Sequence, residues 1–550
     1  MTIILLLTFA KANSQTPNWV WARSAQSNNS FSSAGEGIGV STDALGNAYI
    51  IGYFTDTLTF GSYVFNYPKG VFLTKYDSLG NLQWAKCGGG AFTSTAIATC
   101  VTTDAFGNSY FTGWYYGSIF FDSDTLTSVG NSDIFVVKYD ALGNLIWARS
   151  EGAISSEQSL GLKIDAFNNL YLTGNFFSPS IVFGTDTLIN TTASCNMFLT
   201  KFDSFGNVIW AKCPSILTTG FVQSYGVTTD SNGNIYVSGT FGGISCSLIF
   251  GSDTLVSLGS YNIFLAKYNS SGNVIWAKCA GDSGYDKSFN VATAGNNNIF
   301  ITGEFSSSTI YFGSDTLTNS GGADPFLVKY DSAGNVQWAK SIQGLNNDYG
   351  YSIATNNADK VYLSGGCYSP SSLSVTFDTL TLQYPVGSYD PSFVVGYDFS
   401  GDLLFAKVLA SGADDQNGLA VCPSGSIYMV GDYYQTNPFI IGNDSLILIG
   451  EENVFVAKLA YSSLTDGISE ININNVCNLY PNPMNDKLNI FATENELTEI
   501  ILYDLSSRKL LQQTFTNTTT INTEQLAKGM YLYTVRNRNG IIKNGKVIKQ

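Results

Sequence analysis

The segment Asn273-Val-Ile-Trp-Ala-Lys278 decides the fold, because its Trp-Ala-Lys end recurs through most of the 550-residue chain. Trp-Ala-Lys or Trp-Ala-Arg occurs six times, and Phe405-Ala-Lys is a degenerate seventh copy. Successive copies are separated by 63, 63, 63, 66, 62 and 67 residues. A regular period of this kind is typical of repeat architectures, in which each unit packs mainly on its neighbours. The six complete copies begin at Trp21, Trp84, Trp147, Trp210, Trp276 and Trp338.

Four apolar segments recur in each repeat, and the fourth repeat shows them clearly. Each is a short β-branched and aromatic run bounded by Gly, Asn or Asp, which predicts a strand. The runs are continuous rather than alternating, so we expect burial on both faces, as in a sheet between two others. We name these strands A, B, C and D; in the fourth repeat they are Ser224-Tyr-Gly-Val-Thr-Thr-Asp230, Asn234-Ile-Tyr-Val-Ser-Gly239, Asn262-Ile-Phe-Leu-Ala-Lys-Tyr268 and Asn273-Val-Ile-Trp-Ala-Lys278.

Tight turns are predicted between strands A and B and between strands C and D. Asp43-Ala-Leu-Gly-Asn47 is a turn of the first type, and Asp77-Ser-Leu-Gly-Asn81 is one of the second. An Asp carboxylate can cap such a turn, and Gly supplies the positive φ that closes it. Calcium binding is disfavoured, because each loop offers one carboxylate where calcium needs several oxygen ligands. The pattern therefore predicts structural turns and no metal site.

Four antiparallel strands repeated seven times predict an all-β fold, a seven-bladed β-propeller over residues 19–460. The phase of the repeat favours a closed ring. The first segment, Trp19-Val-Trp-Ala-Arg23, is a strand D, whereas the last, Val454-Phe-Val-Ala-Lys458, is a strand C. We therefore expect the N-terminal segment to complete the last blade, which would leave no exposed sheet edge.

These segments resemble the bacterial β-propeller repeats known as SBBP. The resemblance rests on the Gly-Val-Thr-Thr-Asp, Asn-Ile-Tyr-Val-Ser-Gly, Phe-Leu-Ala-Lys-Tyr and Val-Ile-Trp-Ala-Lys patterns, and it runs from about Trp19 to Ala460. It implies a secreted or surface-located propeller and no particular activity.

A different pattern follows a polar stretch at 461–477 that is typical of a linker. Short alternating strands in residues 478–550 predict a small Ig-like β-sandwich. This region closely resembles the type A C-terminal sorting domain of the type IX secretion system. The resemblance implies export from a Bacteroidota bacterium through that machinery, followed by surface attachment or release; an ordinary adhesive Ig-like domain is the alternative. The residues that carry the resemblance are Tyr480, Pro481, Asn482, Pro483, Gly529, Tyr531, Gly545 and Lys546.

Residues 1–14 predict a signal peptide. The apolar run at 1–10 is too short to span a bilayer, and Ala12 and Ser14 suit cleavage between Ser14 and Gln15. The basic start usual for such peptides is missing, and a buried N-terminal strand is the alternative. No other apolar run reaches the length of a membrane span. We expect export to the periplasm and then to the cell surface or the medium.

Composition excludes several function classes. The net charge is −15, which disfavours a nucleic-acid partner, since such a partner needs a basic surface. The absence of histidine removes His–metal sites and Ser-His-Asp or Cys-His catalysis. Nine cysteines without a CxxC pair indicate mostly buried apolar side chains rather than a disulfide framework. We predict no catalytic residue, cofactor or metal.

A second recurring trio, Asp-Thr-Leu or Asp-Ser-Leu, lies between strands B and C. One interpretation is a capped turn followed by an inward Leu. The other is chemical, because the trio resembles the O-glycosylation acceptor of Bacteroidota. Under that interpretation the acceptors would be Thr57, Thr125, Thr187, Thr254, Thr316, Thr379 and Ser445.

Three functions remain open at this point. The first is a non-catalytic binding module for a glycan or a protein, using the variable B–C and D–A loops on one face. The second is a carbohydrate-active enzyme, which needs only two carboxylates. The third is a structural spacer without a ligand. Departures from the repeat that could mark a site are Trp114-Tyr-Tyr116, Glu151 with Glu157, and Asp414 with Asp415.

Overall fold

The chain folds into two compact bodies, Met1–Ser462 and Ser463–Gln550, here called the repeat domain and the C-terminal domain. Apart from a 3-10 turn at Gly295–Asn297, every regular element among the described residues is a strand, which confirms the all-β class. Residues 1–15, with the predicted cleavage site, and most of the linker lie outside the described residues. The computed structural model describes residues 16–27, 35–191, 194–218, 220–243, 246–356, 358–368, 374–384, 390–409, 418–434, 438–450, 452–461, 477–480, 484–492, 497–504, 509–537 and 540–549.

Seven antiparallel meanders of four strands form the described part of the repeat domain. Their central strands B and C are buried almost throughout, because each sheet is covered on both faces. Strands A to D are, in repeat 1, Gly35–Thr42, Ala48–Phe60, Tyr63–Tyr76 and Leu82–Gly90; in repeat 2, Thr95–Thr103, Ser109–Tyr116, Asp133–Tyr139 and Leu145–Glu151; in repeat 3, Glu157–Ile164, Leu170–Phe176, Asn196–Phe202 and Val208–Lys212; in repeat 4, Phe221–Thr229, Ile235–Gly242, Tyr261–Tyr268 and Val274–Ala280; in repeat 5, Asp286–Ala294, Asn298–Phe305, Asp324–Tyr330 and Val336–Gln343; in repeat 6, Asn347–Thr355, Lys360–Tyr368, Ser392–Asp398 and Leu403–Leu409; and in repeat 7, Gly418–Val421, Ile427–Tyr434, Glu452–Ala460 and Asn18–Ser24.

A small hairpin stands between strands B and C in repeats 2 to 7. In repeat 1 strands B and C are themselves longer and pair as one extended hairpin. Two short strands, Gln26–Ser27 and Ser215–Ile216, add to neighbouring edges. The hairpins are Ser118–Phe121 with Asp124–Thr127, Ser180–Phe183 with Asp186–Ile189, Ser247–Phe250 with Asp253–Val256, Thr309–Phe312 with Asp315–Thr318, Ser374–Phe377 with Leu380–Gln383, and Phe439–Ile441 with Asp444–Leu446.

The A strands follow one another in a ring. Each A strand lies beside that of the next repeat, and the A strand of repeat 7 lies beside that of repeat 1. The N-terminal strand Asn18–Ser24 pairs antiparallel with strand C of repeat 7, with Ala22 opposite Ala457. The two ends of the repeat domain therefore meet in one sheet, and the edge of that sheet is covered.

The repeated Trp and Lys residues hold neighbouring repeats together. In repeat 1, Trp84 Nε1 and Lys75 Nζ both donate to the Ala141 carbonyl in the C–D turn of repeat 2, at 3.2 and 3.0 Å. The equivalent Trp and Lys of four other repeats donate in the same way to a backbone carbonyl in the C–D turn of the following repeat. The accepting carbonyls are those of Ser78, Ser270, Ser332 and Phe399. These contacts satisfy a carbonyl group in five of the C–D turns, and in the turn of repeat 3 Lys138 Nζ alone donates to the Ser204 carbonyl, at 3.2 Å.

The Asp-to-Asn spacing that recurs in the turns has a local cause. Asp43 Oδ1 accepts the backbone N–H groups of Leu45 and Asn47, and its Oδ2 accepts Asn47 Nδ2 at 2.7 Å. Asp77, Asp104, Asp140, Asp165 and Asp203 make the same bonds in their own turns. The carboxylates are thus used by the turns themselves.

The C-terminal domain consists of two small antiparallel sheets around one core. Leu488 and Ile490 from one sheet pack in the same cluster as Ile500, Leu502 and Val535 from the other. The first sheet contains Cys477–Tyr480, Lys487–Ala492 and Thr518–Asn522, and the second contains Lys509–Thr516, Leu497–Tyr503, Gly529–Asn537 and Gly540–Lys549.

Candidate functional site

A cavity of about 810 Å³ lies inside the ring of A strands. Strand A of every repeat contributes to its lining. Cavities of this size on a rigid scaffold are where small molecules and polymer segments usually bind. This cavity is therefore the candidate binding site of the repeat domain.

A β-bulge in the A strand of repeats 1 to 6 brings one extra residue of each of these repeats to this cavity. In repeat 4, for example, the register shifts between Ser224 and Gly226, so that Tyr225 has no partner on strand B. Such a bulge re-aims a side chain without ending the sheet. The bulge residues that line the cavity are Ile38, Thr99, Leu160, Tyr225, Phe289 and Tyr351, in repeats 1 to 6.

Three successive repeats carry an aromatic residue at the bulge. The rings of Tyr225 and Phe289 are 5.9 Å apart, and those of Phe289 and Tyr351 are 5.8 Å apart. Tyr349 stacks on Tyr351 at 5.6 Å. We call Tyr225, Phe289, Tyr349 and Tyr351 the aromatic wall. Repeats 1 to 3 place Ile, Thr and Leu at the same position, so the wall covers one side of the cavity only.

The wall continues towards the surface through an ion pair and further rings. Lys287 Nζ lies 3.2 Å from Glu304 Oε1 and 5.5 Å from the ring centre of Tyr261. The rings of Tyr261 and Tyr285 are 4.9 Å apart, and Tyr285 is 54% exposed. Burial raises the pKa of Glu304, and the Asp286 carboxylate adds to this rise. The ammonium group of Lys287 acts in the opposite direction and lowers the pKa. The Lys287–Glu304 pair thus neutralises its own charge beside the wall.

A lysine lies at another part of the lining. Lys163, in repeat 3, is half-buried, and desolvation lowers its pKa. The thiol of the adjacent Cys100 donates to the Leu162 carbonyl at 3.7 Å, and burial raises its pKa. In the part of the chain that the structure describes, the ammonium group of Lys163 makes no ion pair and no hydrogen bond.

Threonine side chains tie the A strands together near the A–B turns. Thr103 Oγ1 donates to the Thr42 carbonyl at 2.9 Å, and Thr293 Oγ1 donates to the Thr229 carbonyl at 2.7 Å. Thr355 makes the equivalent bond to the carbonyl of Thr293. These bonds between repeats hold the shape of the cavity at this end.

The acidic and aromatic departures seen in the sequence do not assemble into one site. Tyr115 is buried and bonds to Ser150, whereas Tyr116 is exposed. Glu157 accepts the N–H of Ala153 at 2.9 Å, and also that of Ser178, so its carboxylate orders a loop. Burial raises the pKa of Glu151 to about 7. Asp414 and Asp415 lie outside the described residues.

The seven predicted acceptor hydroxyls fall into two groups. Five follow the turn of a B–C hairpin, are exposed, and sit at the same register; they are Thr125, Thr187, Thr254, Thr316 and Ser445. Thr57 instead lies in strand B of repeat 1, before its turn, and is half-buried. Thr379 is exposed but forms part of the turn itself. The trio in repeats 1 and 6 is therefore not structurally equivalent to the others.

The Asp of this trio has a structural partner. Asp253 Oδ2 accepts the backbone N–H of Ala277 at 2.8 Å. The same bond joins Asp186 to Ala211, Asp315 to Ala339, and Asp444 to Ala22. The hairpins of repeats 3, 4, 5 and 7 are therefore bonded to the Ala of a Trp-Ala-Lys or Trp-Ala-Arg segment in strand D.

The predicted sorting residues that the structure describes are divided between the two sheets of the C-terminal domain. Tyr531 is buried, and its hydroxyl donates to the Ala527 carbonyl at 2.6 Å. Gly545 and Lys546 pair with Tyr533 and Leu532. Gly529 has φ 151° and begins its strand, and Tyr480 ends another. Pro481, Asn482 and Pro483 lie outside the described residues.

A comparison with protein families identifies this domain. Residues 478–550 match the model described as the secretion system C-terminal sorting domain. The tail is a sorting domain. It indicates export by the type IX machinery to the cell surface or the extracellular space, and an interaction with that machinery. In the described part of the chain, no helix has the length and apolar character needed to cross a membrane.

Two curated proteins are similar to the repeats. An uncharacterized WD repeat-containing protein of Acanthamoeba polyphaga mimivirus is 26% identical over 466 residues, which cover 70% of this chain and 32% of that protein. The regulatory protein FlaEY of Caulobacter vibrioides is 27% identical over 174 residues, which cover 28% of this chain and 17% of that protein. The chain thus spans less than a third of the length of either relative.

Solved structures resemble the chain only distantly. A europium-containing methanol dehydrogenase covers 80% of this chain and 93% of its own, with 10% identity and a TM-score of 0.32. The GH43 protein BlXynB of Bacillus licheniformis covers 79% and 98%, with 10% identity and a TM-score of 0.25. An extracellular domain of a two component system from B. thetaiotaomicron covers 98% and 99%, with 10% identity and a TM-score of 0.16. At these TM-scores the similarity carries no inference about activity.

The aromatic wall was missed in the sequence, although a signal for it exists. The residue before Gly-Val in strand A is Ile38 in repeat 1 and Tyr225 in repeat 4. Aligning all repeats at this column would show aromatic residues in three consecutive repeats. The bulge that turns this column into the cavity is a feature of the strand register, which the pattern of apolar residues does not encode.

Proposed function

We propose that the chain is an exported, non-catalytic binding protein built from a seven-bladed SBBP-type β-propeller and an Ig-like sorting domain. The seven meanders, the ring of A strands and the N-terminal strand in the last sheet support the propeller. The two-sheet core of the tail supports the Ig-like form. The sorting domain supplies the route to the surface, and the repeat domain supplies the binding.

The ligand site is the central cavity, and the ligand is a glycan. The observation that carries this proposal is the one-sided aromatic wall of Tyr225, Phe289, Tyr349 and Tyr351. Residues that serve the architecture recur around the ring, whereas these rings occur in repeats 4 to 6. Aromatic faces that line a polar cavity suit the apolar faces of sugar rings, while side-chain hydroxyls and Asn290 offer hydrogen bonds.

A glycan array with the purified full chain tests this proposal. We expect binding by the wild type and a loss of roughly two- to tenfold on replacing Phe289 or Tyr351 by Ala, since a stacked ring contributes roughly 0.5–1.5 kcal/mol beyond its buried area. Tyr311→Ala is the matched control, because Tyr311 is an exposed aromatic on the outer hairpin of repeat 5. Equal loss in the control, or no binding by the wild type, would reject the cavity as the site.

A carbohydrate-active enzyme is the second candidate. The observation that favours it is the Glu151 carboxyl, whose pKa burial raises to about 7, in the range of a general acid. Incubation with a panel of polysaccharides should release no product under our proposal. Turnover that disappears in Glu151→Gln would establish the enzyme instead. No binding on the array and no turnover of the panel would favour the third function, a structural spacer without a ligand.

The sorting domain has its own test. Deleting residues 478–550 removes the export signal while leaving the repeat domain intact in sequence. We expect the truncated chain to accumulate in the periplasm, measured by cell fractionation and immunoblotting. A truncated chain that still reaches the surface or the medium would contradict this role.

A further inference from the structure

The charge of the cavity differs from that of the chain as a whole. The chain carries a net charge of −15. Of the described residues that line the cavity, three are charged: Lys163, Lys287 and Glu304. Since Lys287 and Glu304 form an ion pair, Lys163 supplies the unbalanced charge, and it is positive. A cavity with a free cation inside an acidic protein indicates an anionic ligand.

Lys163 is not required by the repeat. Lys163 pairs with Tyr171 of strand B, and in every other repeat the residue of strand A that pairs with the equivalent Tyr or Phe is small and uncharged: Ser41, Thr102, Thr228, Ala292, Ala354 and Ala420. Six of the seven repeats therefore adopt the same strand pairing without a lysine at this position. Desolvating an ammonium group without a partner costs free energy. The lysine at this position of repeat 3 therefore does not stabilise the fold.

The position of Lys163 relative to the wall fits an extended ligand. Repeat 3 lies beside repeat 4, which supplies Tyr225, so the lysine and the first ring of the wall come from neighbouring A strands. Lys163 follows the bulge residue Leu160 by three positions, which is roughly 10 Å along a strand. A ligand that touches both groups must therefore be longer than one sugar ring.

We propose that the cavity binds an anionic oligosaccharide, with sugar rings on the aromatic wall and a carboxylate or sulfate group at the ammonium group of Lys163. This inference rests on the proposed function, because it names the ligand class of the same cavity. Lys287 does not bind the anionic group, because its Nζ already pairs with Glu304 Oε1 at 3.2 Å. The hydroxyl groups of Thr102 and Thr228 line the cavity near the same level of the strands and can take further hydrogen bonds from the anion's ring.

The test compares the wild type with Lys163→Gln and Lys163→Arg on an array of uronic-acid, sulfated and neutral oligosaccharides. Thermal unfolding of both variants serves as the folding control, and Gln removes the charge while keeping a polar side chain that is one atom shorter than that of Lys. The strongest acidic hit is then titrated by calorimetry beside its neutral form, which is the methyl ester of a uronic acid or the desulfated sugar. These two arms also distinguish carboxylate from sulfate.

The expected result is binding of acidic oligosaccharides by the wild type. Lys163→Gln should lose at least about tenfold in affinity, because a hydrogen bond between two charged groups is stronger than one to a neutral amide. Lys163→Arg should retain most of it, and the neutral form should bind the wild type and Lys163→Gln equally weakly. Hits confined to neutral sugars, or an acidic hit unaffected by Lys163→Gln, would overturn the inference and leave the proposed function standing. No binding to any sugar would remove both.

Discussion

The indole ring of Trp21 lies directly on Gly80. Trp21 belongs to the N-terminal strand that completes repeat 7, and Gly80 closes the C–D turn of repeat 1. A Cβ atom on Gly80 would stand 2.8 Å from Cδ2 of the indole ring. Trp21 Nε1 also donates to the Ser78 carbonyl in the same turn, at 3.2 Å. This contact joins the two ends of the repeat domain. The same contact between an indole ring and a turn glycine is made by Trp84, Trp147, Trp210, Trp276 and Trp338.

Gly80→Ala should therefore destabilise the repeat domain more than its backbone conformation alone explains. A positive φ costs Ala about 1 kcal/mol, and the clash with the ring adds about 1–3 kcal/mol. Gly425→Ala is the matched control, because Gly425 has φ 85° against 84° for Gly80 and no atom within 4 Å of the added Cβ. Urea unfolding measures both variants. Equal losses would show that the Trp21 contact contributes nothing to closure.

Asp348 gives the repeat domain a pH dependence. It is 1% exposed, its carboxylate oxygens have no hydrogen-bond partner among the described residues, and the Cys367 thiol beside it is a weak donor. Burial raises its pKa to about 7. The folded state therefore holds the proton more tightly than the unfolded state, so stability falls as pH rises from about 4 to 7.

Asp348→Asn should remove this loss. We expect no change in the free energy of unfolding near pH 4 and a gain of up to about 4 kcal/mol at pH 8, where the carboxyl is ionised. Asp286→Asn is the control, since Asp286 is equally buried but accepts Asp282 N and Ser307 Oγ at 2.9 and 2.7 Å. It should lose stability at pH 8. A variant of Asp348 that is no more stable than the wild type at pH 8 contradicts the argument.

Local patterns predicted the strands and turns, because each depends on a few neighbouring residues. Asp43 caps its own turn, and the central strands are continuous apolar runs. The phase of the repeat also places Asn18–Ser24 as a strand D, and in the structure this strand pairs with Glu452–Ala460. Periodicity could carry this information because a strand without its edge partner leaves the ring open.

Features that depend on register could not be predicted. In the sequence Tyr225 is indistinguishable from the other residues of its strand. In the structure a bulge places it in the lining of the cavity. Thr57 shares its trio with Thr316, but it lies before its turn rather than after it, because strands B and C of repeat 1 pair over a longer length. The positions of both residues depend on how distant segments pair, and the local sequence does not determine this pairing.

Six apolar residues lie exposed at the tips of the turns in repeats 1 to 3. Each is about three-quarters exposed, and its N–H bonds to the Asp that caps its turn. In repeats 4 to 6 the same turn bond is made by Asn232, Ser271, Ala333 and Ser400. The apolar tips are Leu45, Leu79, Phe106, Leu142, Phe167 and Phe205.

Replacing all six tips with Ser should change stability by no more than about 0.5 kcal/mol per site, since the turn bond does not involve the side chain. Binding of an apolar dye should fall, because exposed apolar surface is removed. Thermal unfolding and dye fluorescence measure the two effects. Leu58→Ser, at a fully buried position, is the contrasting variant and should cost several kcal/mol. A comparable cost per tip would show that the tips pack in the folded protein.

The acceptor hypothesis makes a prediction about position. Thr125, Thr187, Thr254, Thr316 and Ser445 present exposed hydroxyls at one register of the outer hairpins, while Thr57 is half-buried in a long strand. Since transfer of a sugar requires access to the hydroxyl, we expect glycan on the hairpin group and none on Thr57. Intact-mass analysis of the exported protein should show one increment fewer for Thr316→Ala and no change for Thr57→Ala. An exported wild type at its unmodified mass would leave the trio with its structural role alone, the bond from Asp to strand D.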